Sequence, residues 1–354
     1  MQRTSLDEAQ HPCLSDRQSA VLRAVVAGYV GEAAPIGSKT LSHLLPLSIS
    51  AASIRNTLVE LTELGLVEKP HRSAGRVPTE RGLRLFVDKL ISPVDLVASE
   101  RRDIAYQVEG ADGDEVVPLA SGLLSRHTHQ LGFVLSPRVD RLTLRHVSLV
   151  RLSTEKLLVV LVTQTGAAYR SVIPDDDGLG QPELDHIAGL LNERVAGRTL
   201  AQVRRRLARE AGALRQQADG LLCRALALGA RALAAAQDEE ADLVIATHLA
   251  LLDQPEFRDP RRVRDLFEAL ETKERLITML DNILERERTT VAIGEEIEEP
   301  ALRRCALVAR SYGAGSDDSP LGVLGVIGPS RMDFSRVIPL VDYLSELVTG
   351  KLRL

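Results

Sequence analysis

Between Ser50 and Lys89 the chain reads SAASIRNTLVELTELGLVEKPHRSAGRVPTERGLRLFVDK, and few folds accommodate that succession of patterns. Ile54, Leu58 and Leu61 recur at helical spacing and form one apolar stripe. Ala52, Ser53, Asn56 and Glu60 fall on the other side, with Arg55 at its margin. Ser50 suits an N-cap and Gly65 suits the left-handed position after the last turn, so the pattern predicts a helix over residues 50–64. Leu66 to His71, a Gly-containing turn through Arg72-Ser73-Ala74-Gly75-Arg76, and Val77-Pro78 then read as a β-hairpin with a basic tip.

Upstream, Ser15-Asp16-Arg17-Gln18 is a capping box that opens a helix with Val21, Leu22, Val25 and Tyr29 on one face. Pro35-Ile36-Gly37-Ser38 breaks the chain, and Ser38 can cap a short helix through Leu45. Three helices followed by a hairpin, with a short connection between the second and third, predict a winged helix-turn-helix whose third helix lies in the major groove of double-stranded DNA.

Charge agrees with this locally. The 354-residue chain carries a net charge of -5, which does not suit a protein that coats nucleic acid indiscriminately. Around the hairpin, however, Lys69, Arg72, Arg76, Arg81 and Arg84 are opposed only by Glu80. Phosphate contacts fix position, while Ser53, Arg55 and Asn56 carry the donors and acceptors that read base edges. The candidate DNA-binding set is therefore Lys39, Thr40, Ser53, Arg55, Asn56, Lys69, His71, Arg72, Ser73 and Arg76. The plainer alternative is that each of these charges is ordinary solvated surface.

Beyond the hairpin, Thr79 can cap a helix through about Ile91, and Pro93 marks a connector. Strand patterns follow at Leu131 to Leu135, Leu142 to Leu152, Leu157 to Thr163 and Ala167 to Ile173, ending in the turn Pro174-Asp175-Asp176-Asp177-Gly178. From Pro182 to about Leu280 composition and period are helical, including an Ala/Leu-rich run from Leu221 to Ala236. Strand patterns return at Thr290 to Ile293, Arg304 to Tyr312 and Leu321 to Ile327, and Ser335 opens a last helix through about Leu347. Strands, helices and strands again predict an α+β domain interrupted by a helical insertion. The broad apolar faces of that insertion suit a dimer surface, or equally a cover for the sheet of their own monomer.

Composition and motifs bear on the other functional classes. At 44% hydrophobic the chain can bury substantial cores in two or three domains. Cys13, Cys223 and Cys305 are scattered and odd in number, which points to a reducing, cytoplasmic setting. Met1 to Cys13 lacks the apolar core of a signal peptide, and the aliphatic run Leu157 to Val162 is too short to span a membrane. His127 and His129 have the spacing to share one side of a strand, but no Cys or Asp cluster with metal-site spacing accompanies them. Gly322, Gly325 and Gly328 have neither a Walker lysine nor dinucleotide spacing, and close backbone approach explains them better. Asp175, Asp176 and Asp177 fit a solvated loop better than a cation site, and no Ser, His and Asp set has a motif for nucleophilic catalysis. The chain is expected to be no enzyme and to need no cofactor or metal.

Several stretches carry a family resemblance. These are Ile54-Arg55-Asn56 with Leu61 and Glu63-Leu64-Gly65-Leu66, then Ser73-Ala74-Gly75-Arg76, Pro78-Thr79, Gly82 and Arg84 through Val87-Asp88. Downstream stand Asp253-Gln254-Pro255-Glu256-Phe257, Ile293-Gly294-Glu295-Glu296, and Leu321 through Phe334 with Arg336-Val337-Ile338. Together they closely resemble the heat-inducible transcription repressors of the HrcA family. The departures are Leu83 in place of a usual aromatic residue, Arg72 in place of a small hydroxyl residue, and Ile297 in place of an asparagine.

The resemblance implies a winged-helix domain over 1–93 and a GAF-like domain over 94–180 and 275–354, split by a helical dimerising insertion over 181–274. It also implies a homodimer bound to an inverted-repeat operator, the CIRCE element of the groE and dnaK chaperone operons. The chaperonin GroEL would keep the repressor active, and heat stress would release repression. A small-molecule-sensing regulator of the GAF type is the alternative, and a pocket of convergent polar groups between Leu131 and Ile173 would favour it.

Overall fold

A computed structural model describes residues 12–45, 49–71, 74–111, 115–136, 142–164, 166, 168–175, 178–199, 243–247, 254–259, 288–297, 299–313 and 320–353, with scattered positions between 202 and 283. The run Leu221 to Ala236 lies outside them apart from Leu228 and Arg231. The N-terminal part begins with helix α1 (Asp16–Glu32), opened by the expected reciprocal box of Ser15 and Gln18 and closed by Ala33 in the left-handed region. Helix α2 (Ser38–Leu44) starts on Ser38 itself, with Gly37 at the cap. Helix α3 (Ala51–Glu63) is capped by the Ser50 hydroxyl, which accepts from the Ser53 N–H at 3.2 Å.

Gly65 follows α3 with φ +69°, the conformation its lack of a Cβ permits. Strands β1 (Val67–Glu68) and β2 (Val77–Pro78) then pair antiparallel. Thr79 caps α4 (Glu80–Leu85), which runs into a wider π turn, Phe86–Leu90, and so ends near the expected Ile91.

Helix α5 (Ala98–Gly110) and helix α6 (Val116–Thr128) lead into strand β3 (Leu131–Leu135). His127 and His129 therefore close a helix and do not share one side of a strand. His129 is the left-handed cap, and His127 meets Glu100 at 2.9 Å. Strand β4 (Thr143–Arg151), strand β5 (Lys156–Thr163) and strand β6 (Ala168–Pro174) follow, then α7 (Gln181–Val195) and β7 (Arg198–Thr199). Beyond them lie β8 (Leu243–Thr247), β9 (Thr290–Ile293), β10 (Cys305–Tyr312), β11 (Gly322–Pro329) and the last helix α8 (Phe334–Arg353).

The main strands fall into two larger sheets, and that division differs from the sequence expectation. One sheet has the antiparallel order β8-β3-β11-β10-β9, so β3 is held between strands more than a hundred residues further on. The other has the order β6-β5-β4-β7. Strands β4 to β6 thus leave the sheet that contains β3. They share a core with α7 through Leu144, Val147, Leu149, Leu157, Val159, Leu161, Leu184, Ile187 and Leu191.

Asn192 ties the two together: its side chain accepts from the Val147 N–H at 2.7 Å and donates to the Val147 carbonyl at 2.9 Å, beside the irregularity of β4 between Leu144 and His146. The boundary expected at 180 and 181 therefore runs through one packed unit. Strands β7 and β8 also interrupt the stretch from 182 to 280, where helix alone was expected. Partners distant in sequence set those two strands, and local composition does not show them.

Both faces of the first sheet are covered. Leu131, Phe133 and Leu135 point to one side with Leu307, Val323 and Ile327, and Val134, Val308, Leu324 and Val326 point to the other, under α6 and α8. All eight residues of β11 are buried, which explains its nearly continuous apolar run. A Cβ on Gly325 would overlap the Val308 carbonyl, and one on Gly322 the Leu135 carbonyl, so close strand approach accounts for these glycines.

The buried Tyr312 hydroxyl donates to the Leu135 carbonyl at 2.8 Å, and burial pushes its pKa well above the ordinary value. Replacing Tyr312 with Phe should lower unfolding free energy by roughly 0.5–1.5 kcal/mol, read by denaturant titration. An unchanged midpoint would mean this bond contributes nothing net.

Candidate nucleic-acid interface

Helix α3 presents two distinct faces. Ile54, Thr57, Leu58 and Leu61 are buried against α1 and α2, while Arg55, Asn56 and Val59 are exposed and Ser53 is half-buried. Gln18 and Arg17 of α1 hold the same helix through Glu60, at 2.9 Å and 3.7 Å. Rotation of α3 about its axis is thereby restrained on the buried side, so Arg55 and Asn56 keep a fixed outward direction.

The hairpin stands beside this face through specific backbone contacts. Ile36 and Arg76 exchange two hydrogen bonds of 2.8 Å, joining the chain before α2 to the second arm of the hairpin. Gly75 has no alternative there, because a Cβ would overlap the Ile36 carbonyl. Thr79 donates its hydroxyl to the Gly65 carbonyl at 2.7 Å and its N–H to the Leu66 carbonyl at 3.1 Å, which anchors α4 under the hairpin.

The candidate residues separate into three groups. Lys39, Arg55, Asn56, Lys69 and His71 are exposed, and Thr40 and Ser53 are half-buried beside them. Arg72 and Ser73 lie outside the described residues. Arg76 is half-buried, and its Nε donates to the Thr62 hydroxyl at 3.2 Å, so it braces the hairpin on the C-terminal end of α3.

Arg84, counted with the basic hairpin charges from sequence, turns the other way. Its Nε donates to Glu296 at 2.8 Å and its Nη2 to the Val291 carbonyl at 2.7 Å. Burial pulls its pKa down, but the hydrogen bonds and charges of Glu296 and Asp88 outweigh that and hold it above its ordinary value. Arg84 is thus engaged with the body of the molecule. The sequence signal that could have found this is the Glu295-Glu296 pair, more than two hundred positions away.

Other candidate chemistry resolves into structure. Asp175 is buried and pairs with Arg151 at 2.8 Å, and it also accepts the Gly178 N–H at 3.1 Å, so it shapes a turn; Asp176 and Asp177 lie outside the described residues. Among the described residues no group of three or more His, Cys, Asp or Glu is placed to hold a metal ion. No helix among them is long and apolar enough to cross a membrane. The departures Leu83 and Ile297 are both buried, so each keeps an apolar side chain where the packing needs one.

Residues 114–338 match the family model described as the HrcA protein C-terminal domain. A heat-inducible transcription repressor HrcA from Geobacter sulfurreducens is 37% identical over 338 residues, covering 95% of this chain and 97% of its own. Another from Xanthomonas campestris is 35% identical over 341 residues, covering 96% of each. Among solved structures, a crystal structure of a hypothetical protein aligns with a TM-score of 0.60 at 24% identity, covering 96% of this chain and 99% of that one.

The relatives define a class of transcription repressors, which are regulators and not enzymes. The chain belongs to the HrcA family of heat-inducible transcription repressors.

A pair of glycines tests the packing beneath the hairpin. A Cβ on Gly82 would overlap the Leu66 carbonyl, whereas one on Gly31 would meet nothing. Gly82→Ala should therefore cost about 1–3 kcal/mol of stability despite the helix preference of alanine, and Gly31→Ala should be neutral or gain up to ~1 kcal/mol. Chemical denaturation of both variants checks this, and equal midpoints would contradict the close approach.

Proposed function

We propose that the chain represses chaperone genes by binding, as a homodimer, an inverted-repeat operator through a winged helix-turn-helix formed by α1, α2, α3 and the β1-β2 hairpin. The observation that carries this reading is the exposure of Arg55 and Asn56 on the outer face of α3, beside exposed Lys69 and His71 on the hairpin. Asn56 has the groups to bond adenine bidentately and Arg55 those to bond guanine. Lys39, Thr40, Ser53, Lys69, His71, Arg72, Ser73 and Arg76 complete the DNA-binding set, mostly through phosphate. A two-fold dimer would bring its two α3 helices to half-sites one helical turn apart or a multiple of it, about 34–36 Å per turn.

The domain plan that goes with this keeps the winged-helix domain at 1–93 and reads the sheet β8-β3-β11-β10-β9, with α5, α6 and α8, as the GAF-like body. The unit of β4 to β7 with α7 is then the insertion. It is mixed α/β and starts near residue 142. Its sheet has one face on α7. The opposite face shows Val150, Leu158 and Val172 in register across three strands, with Val150 and Val172 exposed, which suits the contact between two copies.

We take the operator to be the CIRCE element and the chaperonin GroEL to maintain the active fold, both on the strength of the family. A body whose strand β3 pairs on both sides with segments far along the chain has many non-local contacts to form, which gives chaperone dependence a physical basis.

Two substitutions separate reading from holding. Asn56→Ala should reduce discrimination between the inverted repeat and unrelated duplex by roughly 1–3 kcal/mol. Lys69→Ala should weaken binding to both duplexes alike and flatten the dependence of log affinity on log salt by about one unit. Fluorescence anisotropy across a salt series measures both. Equal loss on both duplexes for Asn56→Ala would remove it from base reading.

A further inference from the structure

Two arginines cross the seam between the helix-and-hairpin module and the body in opposite directions. Arg84 reaches out of α4 and grips both carboxylate oxygens of Glu296, and also donates to the Val291 carbonyl on β9. Arg331, in the turn after β11, reaches back. It bonds Glu256 through two nitrogens at 2.5 Å and 2.9 Å and donates to the Val30 carbonyl at 3.0 Å.

Val30 lies in the last turn of α1, where carbonyls lack intrahelical partners, and that turn contains no basic residue of its own. Arg331 therefore supplies both the missing donor and the cation that a helix C-terminus favours. Two bonds from backbone N–H groups complete the seam. The Glu295 N–H donates to the Glu80 carboxylate at 3.2 Å, and the Val94 N–H donates to the Ser335 carbonyl at 2.9 Å. Gly294, at φ +60°, leaves the space that the Glu80 carboxylate fills.

The three downstream stretches that carry the family resemblance meet here: 253–257 supplies Glu256, 293–296 supplies Gly294, Glu295 and Glu296, and 321–334 supplies Arg331. An isolated exposed ion pair contributes little to stability, but a bidentate arginine fork fixes distance and angle together. Arg84 makes that fork across the seam with Glu296, whereas the fork of Arg331 with Glu256 lies within the body and aims its remaining nitrogen at the Val30 carbonyl. Both guanidinium groups are largely covered, with side-chain exposure of 21% for Arg84 and 12% for Arg331.

We propose that Arg84 and Arg331 are positioning residues that set the orientation of α3 relative to the body, and hence the separation of the two α3 helices in the dimer. The inference rests on the dimeric operator reading above. It assigns to Arg84 no contact with DNA, although its charge lies in the basic run of the hairpin segment.

The test uses the full chain and a series of duplexes in which the two half-sites are moved apart by single base pairs, together with a duplex holding one half-site. Wild type should favour one spacing. Arg84→Ala and Arg331→Ala should each lose that preference, lowering affinity for the best spacing at least about tenfold, while affinity for the single half-site stays within about twofold. The exchanged pair Arg84→Glu with Glu296→Arg should restore the preference in part, which a purely structural defect would not do. An Arg84→Ala protein that keeps its spacing preference, or that loses single half-site binding in the same proportion, overturns the inference.

Distances between spin labels at Glu63 and Arg126, both exposed, give a readout free of DNA. A narrow distribution should broaden in the double variant Arg84→Ala, Arg331→Ala, and a distribution that stays narrow overturns the clamp. If wild type shows a narrow distribution and no preferred spacing, the operator reading fails and the clamp stands.

Discussion

The pairing of β3 with β8 on one side and β11 on the other is the constraint on which the rest of the molecule depends. Five residues, Leu131 to Leu135, hold together segments near residues 245 and 325, and every chain segment in between must leave and return to that sheet. The chain from β4 to β7 does so as a self-contained unit with its own core. The N-terminal module is attached differently: its apolar residues belong to the same continuous core as α5, α6 and α8, from Val21 to Leu352. Burial at about 25 cal/mol per Å² supplies the adhesion, but hydrophobic contact is non-directional and does not choose an angle. The Arg84–Glu296 fork, the Arg331 bond to the Val30 carbonyl and the two N–H bonds at the seam choose it.

What was legible in the sequence follows from how local each determinant is. Helix α3, its Ser50 cap, Gly65 and the hairpin could be read because periodicity, capping and turn chemistry act within a few residues. The same holds for β3, β10, β11 and the last helix, whose apolar patterns match both faces of a covered sheet. Strand β8 was not legible. Leu243-Val244-Ile245-Ala246-Thr247 stands in a stretch whose composition favours helix, and its strand state comes from pairing with β3. The turn at 174–180 looked like a domain boundary, yet α7 packs back onto β4 through Asn192.

The candidate site divides in the same way. Exposure of Arg55 and Asn56 follows from the helical period of α3, while Lys69 and His71 stand in a stretch, 68–71, that is exposed at every position and shows no period. The role of Arg84 does not follow from local pattern, because Glu296 is separated from it by 212 positions and charge alone cannot say which way a side chain turns. Arg76 is intermediate: its place in the hairpin was readable, but its brace to Thr62 was not. Gly75, Gly82 and Gly325 each mark a backbone approach that a Cβ would block.

The molecule joins a helix, α3, held by one face, a hairpin tied to the chain before α2, and a body that carries both. The central claim is that the exposed face of α3 reads one arm of a two-armed operator. The most direct measurement is a hydroxyl-radical footprint of the full-length protein on a chaperone-operon promoter containing an inverted repeat. Symmetric protection of both arms, separated by a whole number of helical turns and lost together in Asn56→Ala, is the predicted result. Protection of a single arm, or of backbone without regard to the repeat, would contradict it.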